Sequence, residues 1–172
     1  LSKLFHFGVY ILYDAGERSN HAPLQSSRLG ASAVMIIGTG IDTVSIARFE
    51  RLIALRGDRF LRRIFSGGEI EESARRGSRA AFFAARFAAR EAFVKALGTG
   101  FVPGVTLRDI AVKAGQRGKP ELEFSDRLGE ELRSRGVTRC HLSIAHDGDS
   151  AQAVVILETV SRAPDDRKGG RP

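Results

Sequence analysis

The sequence predicts an α+β fold in which helices pack on an antiparallel sheet. Segments with helical spacing of apolar residues are grouped between positions 44 and 97, whereas most strand-like runs are grouped between 105 and 158. The chain shows no regular alternation of strands and helices, which would indicate a parallel sheet, and no internal repeat. Its 172 residues, 42% of them hydrophobic, suffice for one domain with a buried core.

The individual elements follow from periodicity and from turn residues. Helical spacing predicts helices at 44–55, 58–76, 80–97 and 125–135, the last closed by Gly136. Short apolar or alternating runs predict strands at 35–41, 105–113, 120–124, 139–145 and 151–158. Glycines and a proline mark a hairpin turn after position 113, and the segment HDGD joins the last two strands.

The helix at 80–97 carries charges in an unusual arrangement. Arg86 and Arg90 interrupt its aromatic side, whereas Glu91 and Lys95 lie one turn apart on the opposite side, beside small alanines. Small residues allow a backbone or a ligand to approach closely. The alternative is a solvated surface pair that contributes about 0.3 kcal/mol, and the helix alone does not decide between them.

The first strand ends on a carboxylate, Asp42, beside glycines. A carboxylate in this position is suited to Mg²⁺, which binds one or two protein carboxylates together with phosphate oxygens and water. Glu91 is the expected second ligand. The alternative is that Asp42 only caps the helix that follows it.

Five short motifs follow one another between residues 35 and 158. They are Gly40-Ile41-Asp42 with Arg48, the segment RFAAREAFVKALGTG from Arg86 to Gly100, Gly118-Lys119-Pro120, HLSIAH from His141 to His146, and the strand from Ala151 to Glu158. In this order they resemble the bacterial holo-[acyl-carrier-protein] synthases, the small class of 4'-phosphopantetheinyl transferases. The resemblance implies a homotrimer with active sites between neighbouring subunits.

The resemblance also implies the reaction. The 4'-phosphopantetheine group would pass from coenzyme A to a serine of apo acyl carrier protein, giving holo acyl carrier protein and adenosine 3',5'-bisphosphate for fatty acid biosynthesis. Mg²⁺ is the expected metal, and Mn²⁺ can substitute. Asp42 and Glu91 would bind it, and Lys95 would neutralise the pyrophosphate or protonate the leaving oxygen. Water at the metal, or Glu91 or Asp42 acting through water, would take the serine proton.

Further residues match family positions near coenzyme A. Arg86 and His146 would lie near its 3'-phosphate and Lys119 near its adenine or ribose; Gly98, Thr99 and Gly100 would let the backbone approach it. The alternative for Gly98, Thr99 and Gly100 is that they only cap the helix. The alternative for His146 is that it is an ordinary histidine at the end of a strand. Many relatives carry lysine where this chain has Arg90, so a role that requires a lysine is not implied for that position.

The resemblance implies that the arginine-rich first helix binds the acidic carrier protein, whereas from the residues alone a solvated helix face is the alternative. Its candidate contacts are Arg48, Arg51, Leu52, Arg56 and Arg59. Of the formal net charge of +7, residues 35–158 carry +4, and a basic core suits an acidic partner. Nucleic acid is not expected, because the chain shows no nucleic-acid-binding motif. A trimer that docks carrier proteins without catalysis is the other alternative, against which Asp42, Glu91 and Lys95 speak.

The ends of the chain differ from its middle. Residues 1–34 are expected to be an N-terminal extension outside the fold, 35–158 the transferase domain, and 159–172 a disordered tail. The apolar run LFHFGVYILY is too short to span a bilayer, so no membrane association is expected. The single cysteine, Cys140, is expected to be a packing residue. Because one cysteine cannot form an internal disulfide, a reducing compartment and hence a cytoplasmic protein are expected.

Overall fold

The computed structural model describes residues 33–100 and 105–161. In chain order these form β1 (Ala33–Ser45), α1 (Ile46–Ile64), α2 (Gly67–Ser73), α3 (Arg79–Leu97), β2 (Ile110–Ala114), β3 (Pro120–Phe124), α4 (Asp126–Ser134), β4 (Arg139–Asp147) and β5 (Ser150–Ser161). An antiparallel sheet has the strand order β1-β5-β4, and β2 and β3 form a separate hairpin. The predicted α+β class is confirmed. No helix within the described ranges is long and apolar enough to cross a membrane.

Several boundaries differ from those predicted. The break expected near residue 56 is only a kink inside α1 at Gly57, whose φ is 61°. The chain instead leaves the helix at Phe65, and Ser66 caps α2: its hydroxyl accepts a hydrogen bond from Glu69 N, and its own N–H donates to the Glu69 carboxylate. A short 3₁₀ turn, Leu107–Asp109, replaces the start of the second predicted strand.

The outer strands are longer than predicted. β1 begins at Ala33 and β5 continues to Ser161, so both pass the bounds of 35 and 158 expected for the domain. Residues 1–32 and 162–172, which hold most of the predicted extension and tail, lie outside the described residues.

Helix α3 is buried on almost every side. Its aromatic side packs against α1 and the residue that follows it: the ring centroids of Phe87 and Phe49 are 5.6 Å apart, and those of Phe83 and Phe65 are 4.6 Å apart. Its alanine side faces the sheet, where it contacts β1 and β5. Because apolar partners cover both sides, the helix is the centre of the core.

The backbones of α3 and β1 touch where β1 has glycine. A Cβ at Gly40 would lie 2.0 Å from the carbonyl oxygen of Ala92, and one at Gly38 would lie 2.1 Å from that of Ala96. Alternate residues of a strand point to the same face, so Asp42 faces α3 as the glycines do. The close approach therefore brings the carboxylate of Asp42 to this helix.

Arg90 is the fully buried cation of α3, with 0% of its surface exposed. Its Nη2 donates to Glu69 Oε2 at 2.6 Å, its Nε to the Leu107 carbonyl at 3.0 Å, and its Nη1 to the Arg86 carbonyl at 3.0 Å. Its guanidinium also lies 4.7 Å from the centre of the Phe65 ring. Burial lowers the pKa of Arg90, an effect that the charge of Glu69 opposes. These contacts give Arg90 a structural role that its position on the aromatic side had not indicated.

Gly40→Ala should lower the free energy of unfolding by about 3 kcal/mol, because the new methyl group forces β1 and α3 apart. Urea unfolding measures the change. Gly68→Ala is the matched control, since its methyl group would meet no atom within 4 Å and the position lies in α2. A Gly40→Ala protein as stable as the Gly68→Ala protein would contradict the close packing.

Arg90→Met should lower the free energy of unfolding by about 3 to 5 kcal/mol, because it leaves the Glu69 carboxylate buried without its cation. Arg90→Lys should cost less, since it keeps the charge while losing the three-point hydrogen bonding. Urea unfolding again measures both, with Arg75→Met at an exposed arginine as the control. Equal stability of Arg90→Met and Arg75→Met would show that the buried pair contributes little.

Candidate active site

Asp42, Glu91 and Lys95 come together where β1 meets α3. Lys95 Nζ donates to Asp42 Oδ1 at 2.8 Å and to the Ile41 carbonyl at 3.0 Å. Glu91 lies one turn before Lys95 and is partly buried. Its pKa is raised by burial and by the charge of Asp42, and Lys95 offsets part of the increase. Two carboxylates and one ammonium group thus share a small volume.

The donor set of this group fits a hard cation. Asp42 and Glu91 repel each other, so a divalent ion between them would stabilise both carboxylates. Lys95 is the lone ammonium group seen to pair with them in the described part of the chain. Those described residues contain no cluster of three or more His, Cys, Asp or Glu that could hold a metal. A metal here would therefore take two protein ligands, which is the arrangement that Mg²⁺ adopts with phosphate groups and water.

The simpler explanations of these residues do not match the geometry. The N-cap of α1 is Ser45, whose hydroxyl accepts from Arg48 N at 3.3 Å, so Asp42 is not the cap. Lys95 does not form a solvated pair within its own helix but reaches across to β1. The charges on this side of α3 thus belong to a contact between two elements.

A cavity of about 560 Å³ lies among α3, the β2–β3 hairpin and the end of β4. Arg86 and His146 both line it, as the resemblance implied for residues that share a ligand. Charged and aromatic residues that the sequence analysis did not select also line it, namely Glu72, Arg76, Phe82 and Lys113. Glu72 and Arg76 are spaced by four residues, as are Phe82 and Arg86, but only the packing of α2, α3 and β2 brings these pairs and Lys113 around one cavity.

Arg86 is held between an aromatic ring and two carboxylates. Its guanidinium lies 3.4 Å from the centre of the Phe82 ring, and its Nη2 donates to Glu72 Oε2 at 3.2 Å. Its Nε lies 4.0 Å from Glu69 Oε1, too far for a hydrogen bond. Burial lowers the pKa of Arg86, while Glu72 and Glu69 oppose the shift.

The two groups of residues lie on opposite flanks of α3. Asp42 of β1 is paired with Ala153 of β5, which is paired in turn with Ile144 of β4, a residue that lines the cavity. With strands roughly 4.8 Å apart, Asp42 and Ile144 are separated by about 10 Å across the sheet. On α3, Arg86 and Glu91 point in directions roughly 140° apart. Within one chain, the carboxylate group and the cavity are therefore separate.

The remaining predicted ligand contacts lie at the margins of these two places. Gly98, with φ of 71°, caps α3 through a hydrogen bond from its N–H to the Lys95 carbonyl at 3.0 Å. Thr99 Oγ1 accepts from Arg135 at 3.0 Å, and Gly100 has φ of 68°. Lys119 stands between Gly118 and Pro120, which both line the cavity, but does not line it itself. Contacts of these four residues with a ligand stay predictions.

The predicted carrier-binding residues lie along α1. Its four candidate arginines are exposed, at positions 48, 51, 56 and 59, and Leu52 is partly buried. Leu55, which was not selected, is 82% exposed and is the more accessible apolar side chain. The kink at Gly57 separates Arg59 from the other three arginines.

Cys140 lies in β4, and its position agrees with a packing role. Burial raises the pKa of its thiol to about 12. The thiolate, which is the nucleophilic form, is therefore scarce at neutral pH.

Comparisons with known proteins show the family to which the chain belongs. Residues 38–155 match the 4'-phosphopantetheinyl transferase superfamily. The holo-[acyl-carrier-protein] synthase of Trichlorobacter lovleyi is 48% identical over 124 residues, which cover 72% of this chain and 98% of the relative.

Solved structures of the same enzymes have the same fold. The crystal structure of holo-[acyl-carrier-protein] synthase from Neisseria meningitidis matches with a TM-score of 0.68 and 37% identity, covering 72% of this chain and 98% of that one. The enzyme from Bacillus anthracis, in complex with CoA (3',5'-ADP), matches with a TM-score of 0.60 and 38% identity over 73% of this chain and 98% of that one. The chain belongs to the 4'-phosphopantetheinyl transferase superfamily, within which it is a holo-[acyl-carrier-protein] synthase.

Proposed function

We propose that the chain transfers 4'-phosphopantetheine from coenzyme A to a serine of apo acyl carrier protein in a Mg²⁺-dependent reaction that serves fatty acid biosynthesis. The observation that carries this proposal is the meeting of Asp42, Glu91 and Lys95 at the contact between β1 and α3. The serine oxygen forms a bond to the β-phosphorus, and the bond from that phosphorus to the bridging oxygen breaks. Adenosine 3',5'-bisphosphate leaves with the bridging oxygen.

Each of the three residues has a role in this reaction. Asp42 and Glu91 hold the Mg²⁺, for which Mn²⁺ can substitute; when bound, the metal supplies positive charge to the pyrophosphate. Lys95 gives up part of its contact with Asp42 to neutralise the pyrophosphate, or protonates the leaving oxygen. Glu91, Asp42 or a water molecule takes the serine proton.

Coenzyme A is proposed to bind through its 3'-phosphate in the cavity. Arg86 and His146 line that cavity, and a guanidinium group binds phosphate by two hydrogen bonds. The complex of the Bacillus anthracis relative with CoA (3',5'-ADP) supports a nucleotide site in this fold. Further contacts from Gly98, Thr99, Gly100 and Lys119 belong to the same proposal.

A homotrimer with sites between subunits is proposed for two reasons. Among the described residues, nothing covers the apolar sheet face away from α3, where the register partners Ile41 and Val154 are 58% and 38% exposed. In addition, the pyrophosphate and the 3'-phosphate of coenzyme A are attached to one ribose, whereas the residues proposed to bind them lie on opposite flanks of α3 in one chain. A neighbouring subunit supplies the missing half of each site.

Mass spectrometry after incubation with apo acyl carrier protein, coenzyme A and Mg²⁺ should show carrier that has gained one phosphopantetheine group. Asp42→Ala and Glu91→Ala should each lower the transfer rate at least about 100-fold, because each removes a ligand of the metal that would supply positive charge to the reacting phosphates. Thermal melting checks that the variants fold, and Glu71→Ala at an exposed carboxylate is the control. Full activity of Asp42→Ala or Glu91→Ala at limiting Mg²⁺ would remove the affected residue from the metal site.

Charge reversal on α1 should weaken binding of the acidic carrier. Arg48→Glu and Arg59→Glu should each raise the KM for carrier protein about tenfold, with little change in the KM for coenzyme A. Arg133→Glu, an exposed arginine of α4, is the matched control. An unchanged carrier KM in both variants would place the docking surface elsewhere.

Ile41→Glu should convert the trimer to monomers and abolish transfer, because it places a charge on the uncovered apolar face of the sheet. Analytical ultracentrifugation measures the state of assembly. Leu55→Glu, which charges an exposed leucine on α1, should leave the assembly intact. A wild-type protein that sediments as a monomer while fully active would refute the shared site.

Cytoplasmic location stays a prediction, which cell fractionation checks.

A further inference from the structure

Among the described residues that line the cavity, Glu72 is the carboxylate, whereas Arg76, Arg86 and Lys113 supply cations. Its two oxygens are both in use: Oε2 accepts from Arg86 Nη2 at 3.2 Å, and Oε1 accepts from Arg76. The charges of these two arginines help to lower the pKa of Glu72, against the effect of burial, so the carboxylate is ionised at neutral pH. In the protein without a ligand, the anionic side chain of Glu72 thus already binds both guanidinium groups.

The two guanidinium groups have a support that does not depend on Glu72. Arg86 lies 3.4 Å and Arg76 lies 5.7 Å from the centre of the same Phe82 ring. Arg86 is also only 12% exposed, while Glu72 is 21% exposed and Arg76 is 53% exposed, so the carboxylate has more room to move than the Arg86 guanidinium. The cations can stay near their places when Glu72 moves away.

We propose that Glu72 is an internal competitor for the 3'-phosphate of coenzyme A and thereby sets the affinity of the enzyme for that substrate. A phosphate group needs the same donors that Glu72 now occupies, and the two anions repel each other if both remain. Binding therefore includes the displacement of Glu72 from Arg86. This inference rests on the proposed function, in which Arg86 binds the 3'-phosphate.

The competitor also has a reason to be present in the ligand-free protein. Arg86 lies near two other cations, Arg76 and Arg90, and both lower its pKa. Glu69 neutralises Arg90, and Glu72 offsets part of the charge of the other two. Without Glu72, the cavity wall would carry still more unbalanced positive charge. The carboxylate offsets part of the charge of the phosphate-binding side chains until the ligand replaces it.

Isothermal titration calorimetry of the full chain with adenosine 3',5'-bisphosphate tests this inference. Glu72→Gln keeps an oxygen that accepts from Arg86 but removes the charge, so it should lower the Kd about tenfold. For adenosine 5'-phosphate, which lacks the 3'-phosphate, the same substitution should lower the Kd much less. Glu71→Gln, at the neighbouring exposed carboxylate, should bind both nucleotides as the wild type does.

Other results would overturn the inference. A Kd for adenosine 3',5'-bisphosphate that is unchanged or higher in Glu72→Gln would mean that Glu72 is neutral or positions Arg86, and an equal gain for both nucleotides would mean that the effect is not specific to the 3'-phosphate. Thermal melting with and without the nucleotide checks folding. Glu72→Asp is the second variant: it retracts the carboxylate and should also bind the 3'-phosphorylated nucleotide more tightly than the wild type. No gain there would again count against competition.

Arg86→Gln separates this inference from the proposed function. If Arg86→Gln weakens binding of adenosine 3',5'-bisphosphate while Glu72→Gln does not strengthen it, Arg86 keeps its role and the competition fails. If Arg86→Gln leaves the Kd of both nucleotides unchanged, the assignment of Arg86 to the 3'-phosphate fails, and the role of Glu72 fails with it.

Discussion

The contact between the backbones of β1 and α3 is the constraint on which the rest of the structure depends. It requires glycine at positions 38 and 40, where a Cβ would lie 2.1 and 2.0 Å from helix carbonyl oxygens. Helix α3 can therefore lie directly on the sheet and receive the aromatic side chains of α1 on its other side. The next residue on the same face of the strand is Asp42, so the contact that closes the core also brings a carboxylate to Glu91 and Lys95.

A second, ionic constraint joins the elements around the cavity. The Glu69 carboxylate accepts from Arg90 of α3 at 2.6 Å and from Val112 N of β2 at 3.2 Å, and it also caps its own helix, α2. These three elements all contribute to the cavity walls. A buried pair of this kind is costly to desolvate, but breaking it is costlier, because one charge would remain without a partner. The pair therefore restricts how α2, α3 and β2 can be arranged.

The charges around α3 are divided between its two flanks. On the flank toward β1, two carboxylates share one ammonium group, and the pKa of Glu91 is raised. On the flank toward α2, arginines gather around Phe82, with Glu72 between them. The first flank suits a cation and the second an anion, which are the requirements of a metal-dependent reaction on a phosphorylated nucleotide. The apolar face of the sheet, with Ile41 and Val154 exposed on it, is the surface through which neighbouring subunits are proposed to bring such flanks together.

The sequence by itself determined the α+β class and nearly all the elements, because these depend on local periodicity. It also selected α3 as the candidate functional helix, because charged residues one turn apart lie on it. It further selected Asp42, Glu91 and Lys95 as candidate site residues, since motifs in a family-like order connect β1 with α3. The role of Arg90 and the selection of Glu72 were decided only by the tertiary structure. The partner of Arg90 is Glu69, 21 residues away, and Arg86 is 14 residues from Glu72. Such pairs form only after helices have packed, so no local pattern in the chain records them.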